Sequence, residues 1–349
     1  MCYNVYMDMW TRLKNTTKPV VIYGMGNASE RLIAKLRSIG VEVKGVFASD
    51  GFVRHNDFLG YTVCSFDEML ALYPDMIVLV AFGSALPSVM DNIKRISSIC
   101  ETYAPCLSVV GDSYFDIEYV RSVEDKLRYI YSLLADDISR RTYENIVLYK
   151  LTGEIPYLSL AETPREEIWS IISPSANDTY LDLGAYNGDT ALEYISHNPD
   201  YARIIAVEPD KRNFKKLSKI LADYRQISLY NMAGSNTEEI LYFDNRGSRS
   251  SLLGSVGTPT PTISIDTLIG EGHVEYINID TEGNELKVIE GGTRTISSLF
   301  PTMLIATYHK ATDIVDIPLK VLSINPNYKL YMRHHPYIPD WDTNYIFKT

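Results

Sequence analysis

The stretch Thr179-Tyr-Leu-Asp-Leu-Gly-Ala-Tyr-Asn-Gly-Asp-Thr190 opens on a short apolar run broken only by Asp182, turns through Gly184 and Gly188, and passes into a helical pattern from Thr190. It reads as a buried strand, a glycine loop and a helix. Helix N-termini carry unpaired N–H groups and a partial positive charge, so such a loop suits an anionic or polyhydroxylated ligand. Its glycines let the backbone approach that ligand closely. The next apolar run, Arg203 to Val207, ends in Glu208-Pro209-Asp210. A carboxylate at the tip of the second strand, about 20 residues beyond the loop, can accept hydrogen bonds from both hydroxyls of a ribose. The loop is Gly-x-x-x-Gly rather than Gly-x-Gly-x-x-Gly, which makes less of a pyrophosphate cradle and more of a pocket for an uncharged linkage. The ligand predicted is S-adenosylmethionine (SAM) rather than a dinucleotide. A plain glycine turn in an unrelated α/β domain is the competing reading.

Outward from this unit, strands are expected at Ile227 to Met232 (ending in Ala233-Gly234), Glu239 to Phe243, Thr262 to Ile265, Val274 to Ile279 and Met303 to Thr307. A closing pair follows at Tyr328 to Arg333 and Asn344 to Phe347, with the last strand antiparallel. Helices are expected at Glu166 to Ile172, Lys211 to Ala222 and Glu285 to Glu290. Upstream, Pro19 to Tyr23 runs into Gly24-Met25-Gly26-Asn27-Ala28-Ser29 and a helix from Glu30 to Ile39. Strands at Val41 to Phe47 and Met76 to Ala81 complete a second β-α-β pattern. That loop is one glycine short of the dinucleotide fingerprint, which favours a structural or sugar-nucleotide-recognising role over a working NAD site. Between Val120 and Leu151, Leu127, Ile130, Leu134, Tyr143, Ile146 and Val147 fall at helical spacing. The predicted fold is α/β: two Rossmann-like doubly wound domains joined by a helical connector. The boundaries are 1–110, 111–162 and 163–349.

The 349 residues carry a net charge of -11, which argues against a nucleic-acid footprint. No apolar run reaches the ~18 residues needed to cross a bilayer, and no secretory leader is evident at the start. Cys2, Cys64, Cys100 and Cys106 form no C-x-x-C pair and read as reduced thiols of a cytoplasmic protein. A homo-oligomer is compatible with all of this.

Several stretches together resemble the FkbM family of SAM-dependent methyltransferases: Tyr180 to Thr190, Ala206-Val-Glu-Pro-Asp210, the Ser-Ser-Leu loop within Gly247 to Leu252, Ile265-Asp-Thr-Leu268 and Ile279-Asp-Thr-Glu-Gly-Asn-Glu285. The resemblance covers roughly residues 160 to 349. It implies a class I methyltransferase fold, SAM as cofactor and O-methylation of a hydroxyl on a sugar, glycan or related metabolite. The first domain resembles, more vaguely, modules ahead of sugar-modifying enzymes of surface-polysaccharide pathways. By the same resemblance Asp182, Gly184, Ala185 and Gly188 form the cofactor loop, Asp189 and Thr190 lie near the methionine end, Glu208 holds the ribose and Ala233 lies against adenine. Ser250 and Ser251 are candidates for acceptor contacts.

In open α/β sheets the acceptor sits beyond the carboxyl ends of the strands. Asp280, Glu282 and His309 are expected there. A sugar hydroxyl is a poor nucleophile until it loses its proton, and a positioned base contributes ~10²–10⁴-fold. Glu282 or His309 is the expected base, with Asp280 orienting the acceptor or the SAM amino group. Helix capping is the bland alternative for the two acids, and a surface loop position is that for His309. Asp280 and Glu282 could instead hold Mg²⁺, but no third ligand is evident in the sequence, so no metal is expected. Two other functions compete: a nicotinamide-dependent oxidoreductase using the first domain, and a non-catalytic sugar-nucleotide-binding protein.

Overall fold

A computed structural model describes residues 7–53, 55–244, 252–254 and 258–349. The chain starts with helix α1 (Met9–Asn15), capped by Asp8. Strand β1 (Val20–Tyr23), α2 (Asn27–Ser38), β2 (Val43–Phe47), a small hairpin of β3 (Asp57–Phe58) and β4 (Tyr61–Thr62), α3 (Phe66–Leu72), β5 (Ile77–Val80), α4 (Pro87–Ser97) and β6 (Glu101–Tyr103) follow. The main strands form a parallel sheet in the order β2-β1-β5-β6. All four residues of β1 and of β5 are buried, as expected of strands covered on both faces. Helix α2 begins three residues before the predicted Glu30, because Gly26 serves as its N-cap.

Three helices come next: α5 (Ile117–Leu133), α6 (Asp137–Thr152) and α7 (Ile155–Ala161). Their apolar stripe is no loose linker. Leu127, Ile130, Tyr143, Ile146, Val147 and Tyr149 belong to one buried cluster that also takes in Val21 and Val78 of the first sheet and Leu181 and Ile279 beyond. Tyr149 and Tyr143 donate to the carbonyls of Ala104 and Leu127, so their hydroxyls are satisfied in the core. Tyr129 is exposed.

The rest of the chain runs α8 (Glu166–Ile172), β7 (Thr179–Leu183), α9 (Asp189–His197), β8 (Arg203–Val207), α10 (Lys211–Ile220), β9 (Ile227–Tyr230), β10 (Ala233–Gly234), β11 (Ile240–Asp244), β12 (Leu252–Gly254), β13 (Thr258–Ile263), α11 (Ile265–Ile269), β14 (Tyr276–Ile279), α12 (Glu285–Glu290), α13 (Thr293–Leu299), β15 (Thr302–Ala306), α14 (Asp313–Ile324), β16 (Lys329–His334) and β17 (Thr343–Lys348). Seven strands form one sheet, β16-β17-β15-β14-β7-β8-β9. It is parallel except for β17, which lies antiparallel between β15 and β16. Strand β7 sits near its centre, and Leu181 and Leu183 are completely buried; each such side chain contributes about 1.5–3 kcal/mol. A smaller sheet, β10-β13-β11-β12, flanks it.

One element differs from the sequence reading. Ile265 was expected to end a strand, but it opens α11, since Ser264 caps the backbone N–H of Thr267. No helix among the described residues is long and apolar enough to cross a membrane.

Candidate active site

The parallel strands point their carboxyl ends to one edge, and the predicted residues collect along it. Gly184 leaves β7 with φ 91, and a Cβ there would lie 1.8 Å from the carbonyl oxygen of Asp280. Only glycine lets the tips of β7 and β14 approach this closely. Gly188 (φ 95) is the N-cap of α9, and Ala185 is completely buried beneath the loop. Asp189 is exposed at the first position of α9.

Glu208 lies just beyond the end of β8, 5% exposed, with its carboxylate turned toward the glycine loop. Oε2 accepts from the backbone N–H of Tyr186 at 2.9 Å, and Oε1 from that of Asp210 at 2.8 Å. Each oxygen retains a lone pair for a further donor. Burial raises this carboxyl to about 7, even though the two backbone donors favour its ionised form. Tyr186 holds a left-handed conformation (φ 45) and stays exposed. Asn231 donates to the carbonyls of Glu208 and Pro209, fixing the turn that carries the acid. Ala233 is buried in β10.

Asp182 and Thr190 are placed differently from a ligand-facing pair. Asp182 is completely buried, and its two oxygens accept from Thr190 Oγ1 at 2.6 Å and Asn278 Nδ2 at 2.9 Å. Burial raises its carboxyl to about 6 against those two donors. The pair ties β7, α9 and β14 together behind the loop.

The acidic edge lies at the tips of β14 and β15. Asp280 is half-exposed, and its Oδ2 accepts from Tyr308 Oη at 3.0 Å. Glu282 is half-exposed in a left-handed turn (φ 53). His309 is 1% exposed, not a surface histidine. Its Nε2 lies 3.4 Å from Asp280 Oδ1 and 3.6 Å from Glu282 Oε2, and its Nδ1 lies 3.0 Å from Glu285 Oε1. Burial opposes the imidazolium, but Glu285, Asp280 and Glu282 outweigh it and push the ring up to about 10. The three carboxylates therefore favour the protonated ring in this arrangement. Partial desolvation and the neighbouring Glu285 also raise the Asp280 carboxyl, despite the opposing pull of His309.

Glu285 was legible only as the end of a motif. In the fold its Oε1 accepts from the backbone N–H groups of Thr281 and Gly283, and it brings a third carboxylate to His309. One ligand atom from each of Asp280, Glu285 and His309 lies within 4.8 Å of the others, a grouping that could hold a metal ion. The wall opposite comes from the segment between the first sheet and the connector. Val109 and Val110 donate to the carbonyl of His309, and a Cβ on Gly283 would lie 2.8 Å from Val110. Arg31 of α2 donates to the carbonyls of Ser108, Val109 and Gly111. Ser250 and Ser251 lie outside the described residues. His334 and His335 turn to separate partners, Thr343 Oγ1 and the carbonyl of Thr163.

A sheet ordered third-second-first-fourth-fifth-seventh-sixth, with one antiparallel strand and acids at its carboxyl edge, defines an α/β methyltransferase fold. Residues 182–337 match the methyltransferase FkbM domain family. The structure of methyltransferase FkbM from Methylobacillus flagellatus KT is similar over 97% of this chain and 92% of that one, with a TM-score of 0.73 and 21% identity. The shared fold thus includes the N-terminal sheet. An rRNA methylase from Streptococcus thermophilus is similar over 54% of this chain and 97% of that one, with a TM-score of 0.37 and 11% identity. Fibrillarin from Aeropyrum pernix, with natively bound S-adenosyl-L-methionine, is similar over 50% of this chain and 67% of that one (TM-score 0.32, 16% identity). Both likenesses are too slight to carry an argument. No curated protein matches the chain.

Proposed function

We propose that this protein is a SAM-dependent O-methyltransferase acting on a hydroxyl of a sugar, glycan or related metabolite. The observation that carries the reading is the placement of buried Glu208 against the glycine loop, with Asp280 and Glu282 one strand away on the other side of β7. SAM supplies an electrophilic methyl on a sulfonium. Glu208 accepts the ribose hydroxyls, the Gly184–Gly188 loop and Asp189 border the methionine end, and Ala233 lies toward adenine. Glu282 takes the proton from the acceptor hydroxyl as the O–CH₃ bond forms and the S–CH₃ bond breaks. Asp280, held by Tyr308, orients the acceptor. Most of the gain comes from alignment at near-attack distance. The 107–111 segment, tied to α2 through Arg31, forms one wall of the acceptor site.

In this reading the chain divides at 110 and 163, and the enzyme works in the cytoplasm on a polysaccharide precursor. A dinucleotide at the first glycine loop finds less support. Ser29, in place of the third glycine, is completely buried with its Oγ bonded to the carbonyl of Ala81.

The test is a panel of sugar and glycan acceptors with methyl-labelled SAM. Glu282→Gln is expected to lower kcat by ~10²–10⁴-fold at unchanged SAM affinity. Full turnover in that variant removes Glu282 as the base, and labelling confined to amines removes O-methylation.

A further inference from the structure

Asp280, Glu285 and His309 share a feature the methyl-transfer reading does not use. Each carboxylate has one oxygen fixed by protein donors. Asp280 Oδ2 accepts from Tyr308, and Glu285 Oε1 from the backbone of Thr281 and Gly283. The second oxygen of Glu285 is buried without any hydrogen-bond partner, and His309 Nδ1 is buried without an aligned one. Native proteins rarely leave buried polar atoms in that state. Among the described residues, no Lys or Arg pairs with Asp280 or Glu285. The imidazole faces three carboxylates, those of Asp280, Glu282 and Glu285, more negative charge than a single proton on the ring could balance. Asp313, buried at the start of α14, adds a further acid nearby, and Tyr308 donates to Asp280.

We propose that Asp280, Glu285 and His309 bind one divalent first-row cation of the Mn²⁺ kind, which displaces the imidazole proton to solvent and in turn holds the acceptor hydroxyl. Two carboxylates and an imidazole are a ligand set for such an ion, whereas Mg²⁺ favours oxygen alone. Glu285 and His309 form the closed side. The half-exposed edge at Asp280 and Glu282 leaves room for water or for the acceptor oxygen, as a catalytic rather than structural metal site requires. The hydrogen bonds from Tyr308, Thr281 and Gly283 orient the ligands from behind. An ion there lowers the pKa of the hydroxyl it binds, which eases transfer of that proton to Glu282. The role in acceptor activation rests on the methyltransferase reading, but the binding site itself does not.

The experiment titrates Mn²⁺ into EDTA-stripped, full-length protein and follows the free Mn²⁺ signal by electron paramagnetic resonance, with SAM binding measured by calorimetry on the same samples. One Mn²⁺ per chain is expected. His309→Ala and Asp280→Asn are expected to weaken it by at least ~10-fold, with SAM affinity preserved. Asp280 is half-exposed, so its variant decides the matter even if His309→Ala fails to fold. Absence of a stoichiometric Mn²⁺ in folded wild type, or equal affinity in wild type and Asp280→Asn, overturns the site. Mn²⁺ uptake that depends on Asp280 without any SAM binding supports the site and breaks the cofactor reading instead.

Discussion

The glycine turns that follow β1 and β7, each at the carboxyl edge of its sheet, differ in what surrounds them. At the first, after β1, Tyr23 stacks on Phe47 at 4.7 Å and packs edge-on against Phe82. The hydroxyl of Tyr23 is shared with Ser49 and Asn92. A Cβ on Gly24 would lie 2.9 Å from the Phe82 ring, so aromatic side chains fill the space beside the turn. At the second, after β7, the neighbours are Glu208, Asp280 and Glu282, and the glycine abuts backbone rather than a ring. The same β-α-β geometry therefore yields a packed structural turn in one place and an acid-lined edge in the other. The side chains at the strand tips, not the fold, carry the chemistry.

This contrast can be broken by substitution. Gly184→Ala places a methyl 1.8 Å from Asp280 O on a backbone with φ 91. It is expected to cost at least about 3 kcal/mol, from left-handed strain plus a backbone clash, and to abolish SAM binding. Denaturant melts and calorimetry check both. A variant that retains stability and SAM affinity would mean the two tips do not need to touch.

The next effect is on pH. The Glu208 carboxyl, raised by burial to about 7, must be ionised to accept ribose hydroxyls. SAM affinity is therefore expected to fall about tenfold from pH 8 to pH 6, as the ionised fraction falls. The stability sign is the reverse. A folded-state pKa raised above the unfolded value of 4.5 means the unligated protein binds the extra proton. The Glu208 contribution is thus favourable at low pH and is lost as pH rises from about 4.5 to about 7. In Glu208→Gln both slopes should flatten, by calorimetry for the first and thermal melts across pH for the second.

The smallest effect belongs to the first turn. A Cβ on Gly26 meets nothing within 4 Å, and its φ is -105. Gly26→Ala, the loss of a favoured N-cap residue, should cost no more than about 1 kcal/mol of stability and leave SAM affinity and turnover unaltered. A loss of turnover there would give the first loop a functional role that its packing does not indicate.

Much of this was legible in the sequence. Strands β7, β8, β14 and β15 announce themselves as apolar runs, and Gly184, Gly188 and Glu208 stand at motif spacing. What could not be read depends on register across the sheet. Pairing of Ile279 with Ile305 sets Asp280 level with Ala306, and three residues later the chain returns His309 to the same edge. A one-residue slip would send these side chains elsewhere. The approach of His309 to Asp280 follows from that register, and the meeting of Asp182 with Asn278 from the pairing of β7 with β14. The wall formed by Val110 and held by Arg31 joins residues nearly 80 positions apart in sequence, a distance no local pattern spans. Helix α11 was missed because five residues are too few for a period to show against a preceding β-branched run.

The most direct test is a calorimetric titration of SAM into wild type, Glu208→Gln and Asp50→Asn, the last changing the acid three residues past the end of β2, the strand that pairs with β1. One SAM per chain is predicted, at least ~10-fold weaker in Glu208→Gln because a charged acceptor of hydroxyl hydrogen bonds is lost, and unchanged in Asp50→Asn. Equal affinity in wild type and Glu208→Gln, or weakening by Asp50→Asn alone, would contradict the placement of the nucleoside at the tips of β7 and β8.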